Sequence, residues 1–221
     1  MVINAILAIT AVFISLIIHE IAHGYVALRL GDDTAKNQGR LSFNPLHHID
    51  LFGTIVLPLL LYFSKIGFVF GWAKPVPIDY TKIKGSKKNL IWVASAGILA
   101  NLALALISAL LLKLLLWLPH SFAGSVLAMF CFQMIFINLI LAVFNLLPIP
   151  PLDGSKILLS WTENRWVQKY MRLEEYGLAL VVFLMFILPA LLLAFDVKFN
   201  PLVSAVKTVT QWLMKFIVQG I

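Results

Sequence analysis

The chain has 221 residues, of which 61% are hydrophobic and 12% are charged, and its net charge is +7. Soluble domains carry about 25% charged residues, so this composition excludes a soluble globular protein and predicts an integral membrane protein. The positive charge does not indicate a nucleic-acid partner, because the lysines and arginines lie in loops that flank apolar runs. The single cysteine, Cys131, excludes an intrachain disulfide.

The first apolar run, residues 2–30, predicts a membrane helix that carries the motif His19-Glu20-x-x-His23 near its C-terminal end. The run lacks the charged start and cleavage site of a signal peptide, so we expect the helix to be retained. Helical residues four apart share a face, so the two imidazoles can bind one zinc ion while Glu20 acts as general base. An acidic residue in a membrane helix costs about 2.5–3.5 kcal/mol, which favours a functional motif. The alternative is a helix end where these side chains merely meet lipid headgroups.

The segment after the first helix is polar and rich in turns, and it contains His47 and His48. Either histidine could be a further metal ligand, but interfacial loop histidines are more common. The apolar run 51–63 spans only about 20 Å as a helix, short of a hydrocarbon core of about 30 Å. It therefore predicts a re-entrant or partly inserted segment. Residues 68–72 alternate in the manner of a short β-strand.

Three later apolar runs predict further spans, at residues 90–118, 124–147 and 178–195. In the first of these, Gly97 and Asn101 lie four apart, which predicts a close helix contact and a buried hydrogen bond. Residues 155–176 read as a charged loop. Residues 201–218 are amphipathic, and the sequence leaves open whether they lie in the interface or span the membrane.

The predicted fold class is therefore an all-α polytopic membrane protein with about five to six membrane helices and a small membrane-associated β or re-entrant segment.

The third span ends in a proline-rich turn that leads to Asp153. Catalytic zinc has three protein ligands and an open position, and Asp153 is the best candidate for the missing ligand. The alternative is an N-cap aspartate for the following segment. If residues 51–63 do not cross, His19, His23 and Asp153 share one membrane face with 13 of the 17 basic residues. The positive-inside rule makes that face cytoplasmic.

Several motifs together resemble the site-2 protease family of intramembrane zinc metalloproteases, in its short form without PDZ or CBS domains. The resemblance covers residues from about 14 to 160, and the segments that carry it are HEIAHGYVALRLGD, GRLSFNPLHHIDLFGT, GWAKPVPID, ASAGILAN and NLLPIPPLDG. Leu51 and Ile98 stand where the family more often has proline, and neither is a candidate ligand.

The resemblance implies one zinc ion per chain bound by His19, His23 and Asp153, with Glu20 as general base. It also implies that Asn145 lines the site and holds the substrate carbonyl or oxyanion, although an interhelical hydrogen bond explains this asparagine equally well. The implied activity is cleavage of transmembrane segments of other membrane proteins, in the lipid bilayer of a prokaryotic cell. We expect one domain over residues 1–221, with a core at 2–160 and C-terminal helices at 178–218.

Two other classes of function are compatible with parts of this sequence. A metal transporter or channel could use the same histidines and aspartate as a transit site, but it predicts acidic or histidine residues along a pore. The far halves of the predicted spans contain almost none. A catalytically silent scaffold is disfavoured because all three candidate ligands and the base are present. The substrate and the oligomeric state do not follow from the sequence.

Overall fold

The computed structural model describes residues 2–63, 71–117, 119, 121–161, 176–197 and 199–219. Eight helices lie in these ranges: α1 (Val2–Arg29), α2 (Thr34–Asn37), α3 (Leu57–Phe63), α4 (Lys87–Leu116), α5 (Phe122–Leu146), α6 (Asp153–Trp161), α7 (Gly177–Ala194) and α8 (Pro201–Gln219). A 3₁₀ turn at Pro45–His48 and a π-helical turn at Leu51–Val56 precede α3, and α7 contains a π-helical stretch at Phe183–Ile187.

Four of these helices, α1, α4, α5 and α7, are long and apolar enough to cross a membrane. Their outer faces carry exposed apolar side chains, as along α4, where Leu106, Leu110 and Leu114 are all more than half exposed. An exposed leucine row of this length is typical of a lipid-facing surface. The prediction of an all-α polytopic membrane protein is thus confirmed.

Helix α4 lies at the centre of the bundle, in contact with α1, α5 and α6. Its small residues Ala105 and Ala109 pack against Ile135 and Leu139 of α5, and all four are buried. Lipid tails are as apolar as leucine side chains, so membrane helices associate through close packing of this kind rather than through the hydrophobic effect. One turn before Ala105, the fully buried Asn101 faces α1.

Helix α8 packs lengthwise along α5. Near its start, Leu202 belongs to a cluster that includes Leu147, whereas Leu213 near its end packs against the cluster that contains Ile135. Residues 135 and 147 are separated by about 18 Å along a helix. This arrangement favours the spanning interpretation of residues 201–218 over a helix that lies flat in the interface.

The structure differs from two sequence-based expectations. Residues 155–161 belong to helix α6 rather than to a charged loop, because Asp153 begins a helix whose apolar residues Ile157 and Leu158 continue its pattern. Residues 162–175 of that predicted loop lie outside the described residues. The described part of the chain contains no β-strand: Gly71 and Trp72 are non-helical, and the remainder of the predicted strand is not among the described residues.

The predicted short apolar segment is helical over residues 51–63. Gly53 lies against Trp72 there: a Cβ on Gly53 would come within 2.3 Å of the indole ring. The absence of a side chain at this position allows the segment after residue 70 to pack across the π-helical turn. Its insertion depth in the bilayer stays a prediction.

Candidate metal centre and active site

Three buried side chains from two distant parts of the chain converge near the C-terminal ends of α1 and α5, as the proline-rich turn brings Asp153 back toward α1. His19 Nε2 and His23 Nε2 lie 3.1 Å apart, and Asp153 Oδ2 lies 3.2 Å from the first and 3.1 Å from the second. All three residues are less than 8% exposed. Within the described ranges, this is the group of such side chains that is placed to hold a metal ion.

The donor set fits zinc. A tetrahedral zinc ion with ligand bonds of about 2.0–2.1 Å places neighbouring ligand atoms about 3.3 Å apart, close to the three separations in this cluster. Two imidazole nitrogens and one carboxylate oxygen are also a common set of ligands in catalytic zinc sites. The geometry brings together the three residues that the sequence singles out as ligands.

Each histidine is oriented through its second ring nitrogen. His19 Nδ1 donates to Asn101 Oδ1 at 3.2 Å, and His23 Nδ1 donates to the carbonyl of Val93 at 2.7 Å. With the proton on Nδ1, the Nε2 lone pair of each neutral ring points toward Asp153 and is available to a metal. The buried hydrogen bond expected of Asn101 is confirmed, and its partner is one of the two motif histidines.

Two glycines allow the elements of this site to approach one another. A Cβ on Gly97 would lie 2.4 Å from His23 Nε2 and 2.5 Å from His19 Cε1, so α4 packs directly on the imidazoles only because residue 97 has no side chain. A Cβ on Gly154 would lie 2.1 Å from the carbonyl oxygen of Leu146. Larger residues at either position would displace a candidate ligand.

Asp153 is ionised in this environment. Burial alone would raise the pKa of its carboxyl, but before a metal binds, hydrogen bonds from protonated His19 and His23 outweigh that effect and lower the pKa below its usual range; a zinc ion would take the place of the Nε2 protons. Lys156, one turn further along α6, places Nζ 3.9 Å from Asp153 Oδ1. The carboxylate therefore directs Oδ2 to the histidines and Oδ1 toward the ammonium group.

Glu20 lines a cavity of about 220 Å³ beside the cluster, together with His23 and Asp153. The lining also includes Pro75, Val76 and Ile78 of a non-helical segment, residues 71–79, which we call the strap. The backbone N–H of Val76 in the strap donates to Glu20 Oε2 at 2.8 Å. One carboxylate oxygen is thereby held by the strap, and Oε1 is the oxygen that can serve the cavity.

Other residues singled out in the sequence lie elsewhere. Asn145 donates from Nδ2 to the carbonyl of Leu141 in its own helix at 3.0 Å, and it is not among the residues that line the cavity. His47 contacts the carbonyl of Gly39 and His48 that of Ser42, each through a ring nitrogen. The three-residue cluster does not include either histidine.

Sequence reasoning missed Val76, Val93 and Lys156. Val76 and Val93 act through main-chain atoms, which have no side-chain signature in a sequence. The Pro-Val-Pro stretch at 75–77 offers an indirect signal, because proline has no N–H and Val76 therefore carries the only donor among these three residues. Lys156 could have been found by placing Asp153 on a helix, which puts residues 153 and 156 on the same face.

An HExxH helix that meets a carboxylate from a second segment, in a bundle of membrane-crossing helices, defines the class of integral membrane metallopeptidases. Comparison with known proteins agrees with this class. The family model for Peptidase family M50 matches residues 120–190. The chain is 38% identical over 188 residues to YwhC of Bacillus subtilis, covering 82% of the chain and 80% of the relative.

Two further relatives are Rip2 of Mycolicibacterium smegmatis and MJ0611 of Methanocaldococcus jannaschii. The first is 32% identical over 190 residues, which cover 84% of the chain and 68% of the relative. The second is 34% identical over 161 residues, which cover 73% of each. All three relatives carry names that describe them as zinc metalloproteases. No solved structure matches the chain significantly.

The chain belongs to Peptidase family M50, the site-2 protease family, and it is a zinc metallopeptidase of the membrane.

Proposed function

We propose that this protein is an intramembrane endopeptidase that hydrolyses peptide bonds in or near transmembrane segments of other membrane proteins. The observation that carries the proposal is the position of the His19, His23 and Asp153 cluster. The cluster is buried between α1, which is long and apolar enough to cross a membrane, and the start of α6, which follows another such helix, α5. A substrate must therefore reach the site at membrane depth. We assign residues 1–221 to a single protease domain with this centre.

In the proposed mechanism, His19, His23 and Asp153 hold zinc and Glu20 is the general base. When bound, zinc supplies Lewis acidity, which acidifies water and polarises a peptide carbonyl. Glu20 accepts the proton of the attacking water at Oε1 and passes it to the leaving amine. Burial of the three ligand residues excludes bulk water from the ligand atoms, and Asn101 and Val93 keep both histidines in the tautomer that presents Nε2.

In the proposed mechanism, Asn145 contacts the substrate only after a peptide has bound. Its side chain is half-buried one residue before the end of α5, close in sequence to the turn that leads to Asp153. We propose that a bound peptide draws the Asn145 amide from the Leu141 carbonyl to the carbonyl oxygen of the substrate. A local hydrogen bond of this kind is weak enough, about 0.5–1.5 kcal/mol net, to be exchanged for a substrate contact.

We further propose that the site faces the cytoplasm of a prokaryotic cell. The loops on the side of the cluster carry most of the basic residues, including Lys82, Lys84 and Lys88 before or at the start of α4. Basic residues near the ends of membrane helices remain on the cytoplasmic side.

Single-cysteine labelling tests this topology in a Cys131→Ser background. Cysteines placed at residues 74–88 and at 155–176 are expected to react only with a membrane-impermeant reagent applied from the cytoplasmic side. A cysteine near residue 120 provides the control and should react from the opposite side. Labelling of the two segments from different sides would contradict a shared site.

Substrate helices must unwind before cleavage, because an intact helix engages its carbonyls in i→i−4 hydrogen bonds. Glycine or proline near the cut site removes about 1 to 3 kcal/mol of helix propensity per residue, so we expect such substrates to be cleaved faster than leucine-rich ones. Purified protein reconstituted in liposomes with substrates of matched hydrophobicity tests both the activity and this order. Equal rates for the two kinds of substrate would show that unwinding is not limiting, and absence of any cleavage would refute the proposed function.

A further inference from the structure

We propose that Arg40 is a positioning residue for Glu20 and that it acts through the peptide group between Pro75 and Val76. The proposal rests on the assignment of Glu20 as general base. It concerns a segment, Gly39-Arg40-Leu41, that the metal cluster does not use. Within the part of the chain that the structure describes, the hydrogen bonds of Arg40 reach the active site by way of the strap.

Arg40 and Glu20 form hydrogen bonds with opposite ends of one peptide unit. Arg40 Nη2 donates to the Pro75 carbonyl at 3.1 Å, and the N–H of the same peptide unit, on Val76, donates to Glu20 Oε2 at 2.8 Å. Arg40 Nη2 also donates to the Lys74 carbonyl at 2.9 Å. A guanidinium on the carbonyl polarises the amide and strengthens its N–H as a donor, because hydrogen bonds in a chain reinforce one another.

The strap is anchored independently on both sides of this peptide. Before it, the backbone N–H of Trp72 donates to the Gly53 carbonyl at 3.1 Å, and that of Lys74 donates to the His48 carbonyl at 2.8 Å. After it, the N–H of Asp79 donates to the buried Asp32 carboxylate at 2.8 Å. These anchors hold the two ends of the strap, and the Pro75–Val76 peptide between them is positioned by its hydrogen bonds to Arg40 on one side and Glu20 on the other.

Close packing holds the connection from Arg40 through the Pro75–Val76 peptide to Glu20, which we call the relay, against α1. A Cβ on Gly24, one turn after Glu20, would lie 2.8 Å from Val76 Cγ1 and 2.6 Å from Leu41 Cδ2. The missing side chain at residue 24 thus admits both Val76 and the neighbour of Arg40 to the same face of the helix. Val76 is 6% exposed, so water does not compete readily for its N–H.

The consequence for the reaction is orientation. With Oε2 held by Val76, the carboxylate plane of Glu20 is fixed and Oε1 is the oxygen left to take the proton. A misplacement of about 1 Å in a reacting group can cost about 100-fold in rate. Loss of the Arg40 contact should therefore lower kcat, whereas substrate affinity and zinc content depend on groups that Arg40 does not touch.

The test compares Arg40→Gln, Arg40→Lys and an amide-to-ester replacement at residue 76 in zinc-loaded protein reconstituted with a transmembrane substrate. The ester removes the Val76 N–H and also weakens the Pro75 carbonyl as an acceptor, so it breaks the same connection between Arg40 and Glu20. Thr54→Val is the matched control, because Thr54 Oγ1 donates to the strap carbonyl of Trp72 at 2.8 Å, away from the Pro75–Val76 peptide. The readouts are kcat, KM, zinc per chain and the midpoint of thermal unfolding.

We expect Arg40→Gln and the ester each to lower kcat about 10- to 100-fold, with KM within about twofold and zinc unchanged. Arg40→Lys should retain more activity than Arg40→Gln, and the ester combined with Arg40→Gln should be no worse than either alone. Thr54→Val should lower only the unfolding midpoint. Equal kcat values for Arg40→Gln and Thr54→Val, loss of zinc in Arg40→Gln, or additive effects in the double variant would overturn the proposal.

A separate variant, Glu20→Gln, distinguishes this inference from the proposed function. If Glu20→Gln keeps wild-type turnover, the assignment of the base is wrong and the relay has no target. If Glu20→Gln is inactive but Arg40→Gln and the ester turn over normally, the base stands and only the role of Arg40 is refuted.

Discussion

Replacement of Glu20 with glutamine is expected to abolish peptide hydrolysis and to leave zinc bound. Glutamine is nearly the same size as glutamate but does not accept a proton at neutral pH, and a general base contributes about 100- to 10,000-fold to the rate. The amide oxygen of glutamine can still accept the hydrogen bond from the Val76 N–H, so the strap should stay in place. The measurement is turnover of a reconstituted substrate, alongside zinc content.

Glu20→Ala is the informative companion variant. It should be equally inactive, but it also removes the acceptor for the Val76 N–H, so its unfolding midpoint should fall below that of Glu20→Gln. A net hydrogen bond to a charged group is worth about 1.5–3 kcal/mol. Turnover near the wild-type value in Glu20→Gln would show that another group takes the proton.

Asp153→Ala is expected to release zinc and to lose all activity. The substitution removes Oδ2, which lies within 3.2 Å of both histidine Nε2 atoms, and leaves two candidate ligands where catalytic zinc requires three. Loss of an indirect, outer-shell partner already costs about 10- to 100-fold in metal affinity, so loss of a direct ligand should cost at least as much. Metal analysis after dialysis should fall from about one zinc per chain to near zero.

Asp33→Ala is a suitable control for this experiment, because Asp33 is an exposed aspartate in a surface ion pair with Lys82 and should not affect zinc. Ligands that bind only the folded state raise the unfolding midpoint, so added zinc should stabilise the wild type and Asp33→Ala but not Asp153→Ala. Full zinc occupancy in Asp153→Ala would remove Asp153 from the set of ligands.

The parts of this protein that could be predicted from its sequence are those in which local spacing determines geometry. Residues four apart on one helix share a face, so the pairing of His19 with His23 followed from the motif alone. Asp153 could be proposed because the prolines before it end the α5 helix near the membrane. The four apolar spans could be predicted because a helix that crosses a bilayer needs about 20 consecutive, mostly apolar residues, and such runs are visible in the sequence.

What could not be predicted depends on how separate elements pack. Gly97 and Asn101 indicated a close contact, but the spacing within α4 does not say which helix it meets, and the partners are the two histidines themselves. Helix α6 was predicted as loop because its short apolar pattern is interrupted by Lys156 and Ser160. The hydrogen bond from Val76 to Glu20 depends on a main-chain atom of a segment more than 50 residues away.

The separation of 130 residues between His23 and Asp153 also sets an order of events during synthesis. At about 5–20 residues per second, a ribosome adds Asp153 about 7 to 26 s after it has added His23. During this interval α1 carries two histidines and a glutamate, while the elements that will enclose them are still absent. Zinc loading is therefore expected late in biogenesis, which confines the proteolytic centre to chains whose first five helices and the start of α6 have been translated.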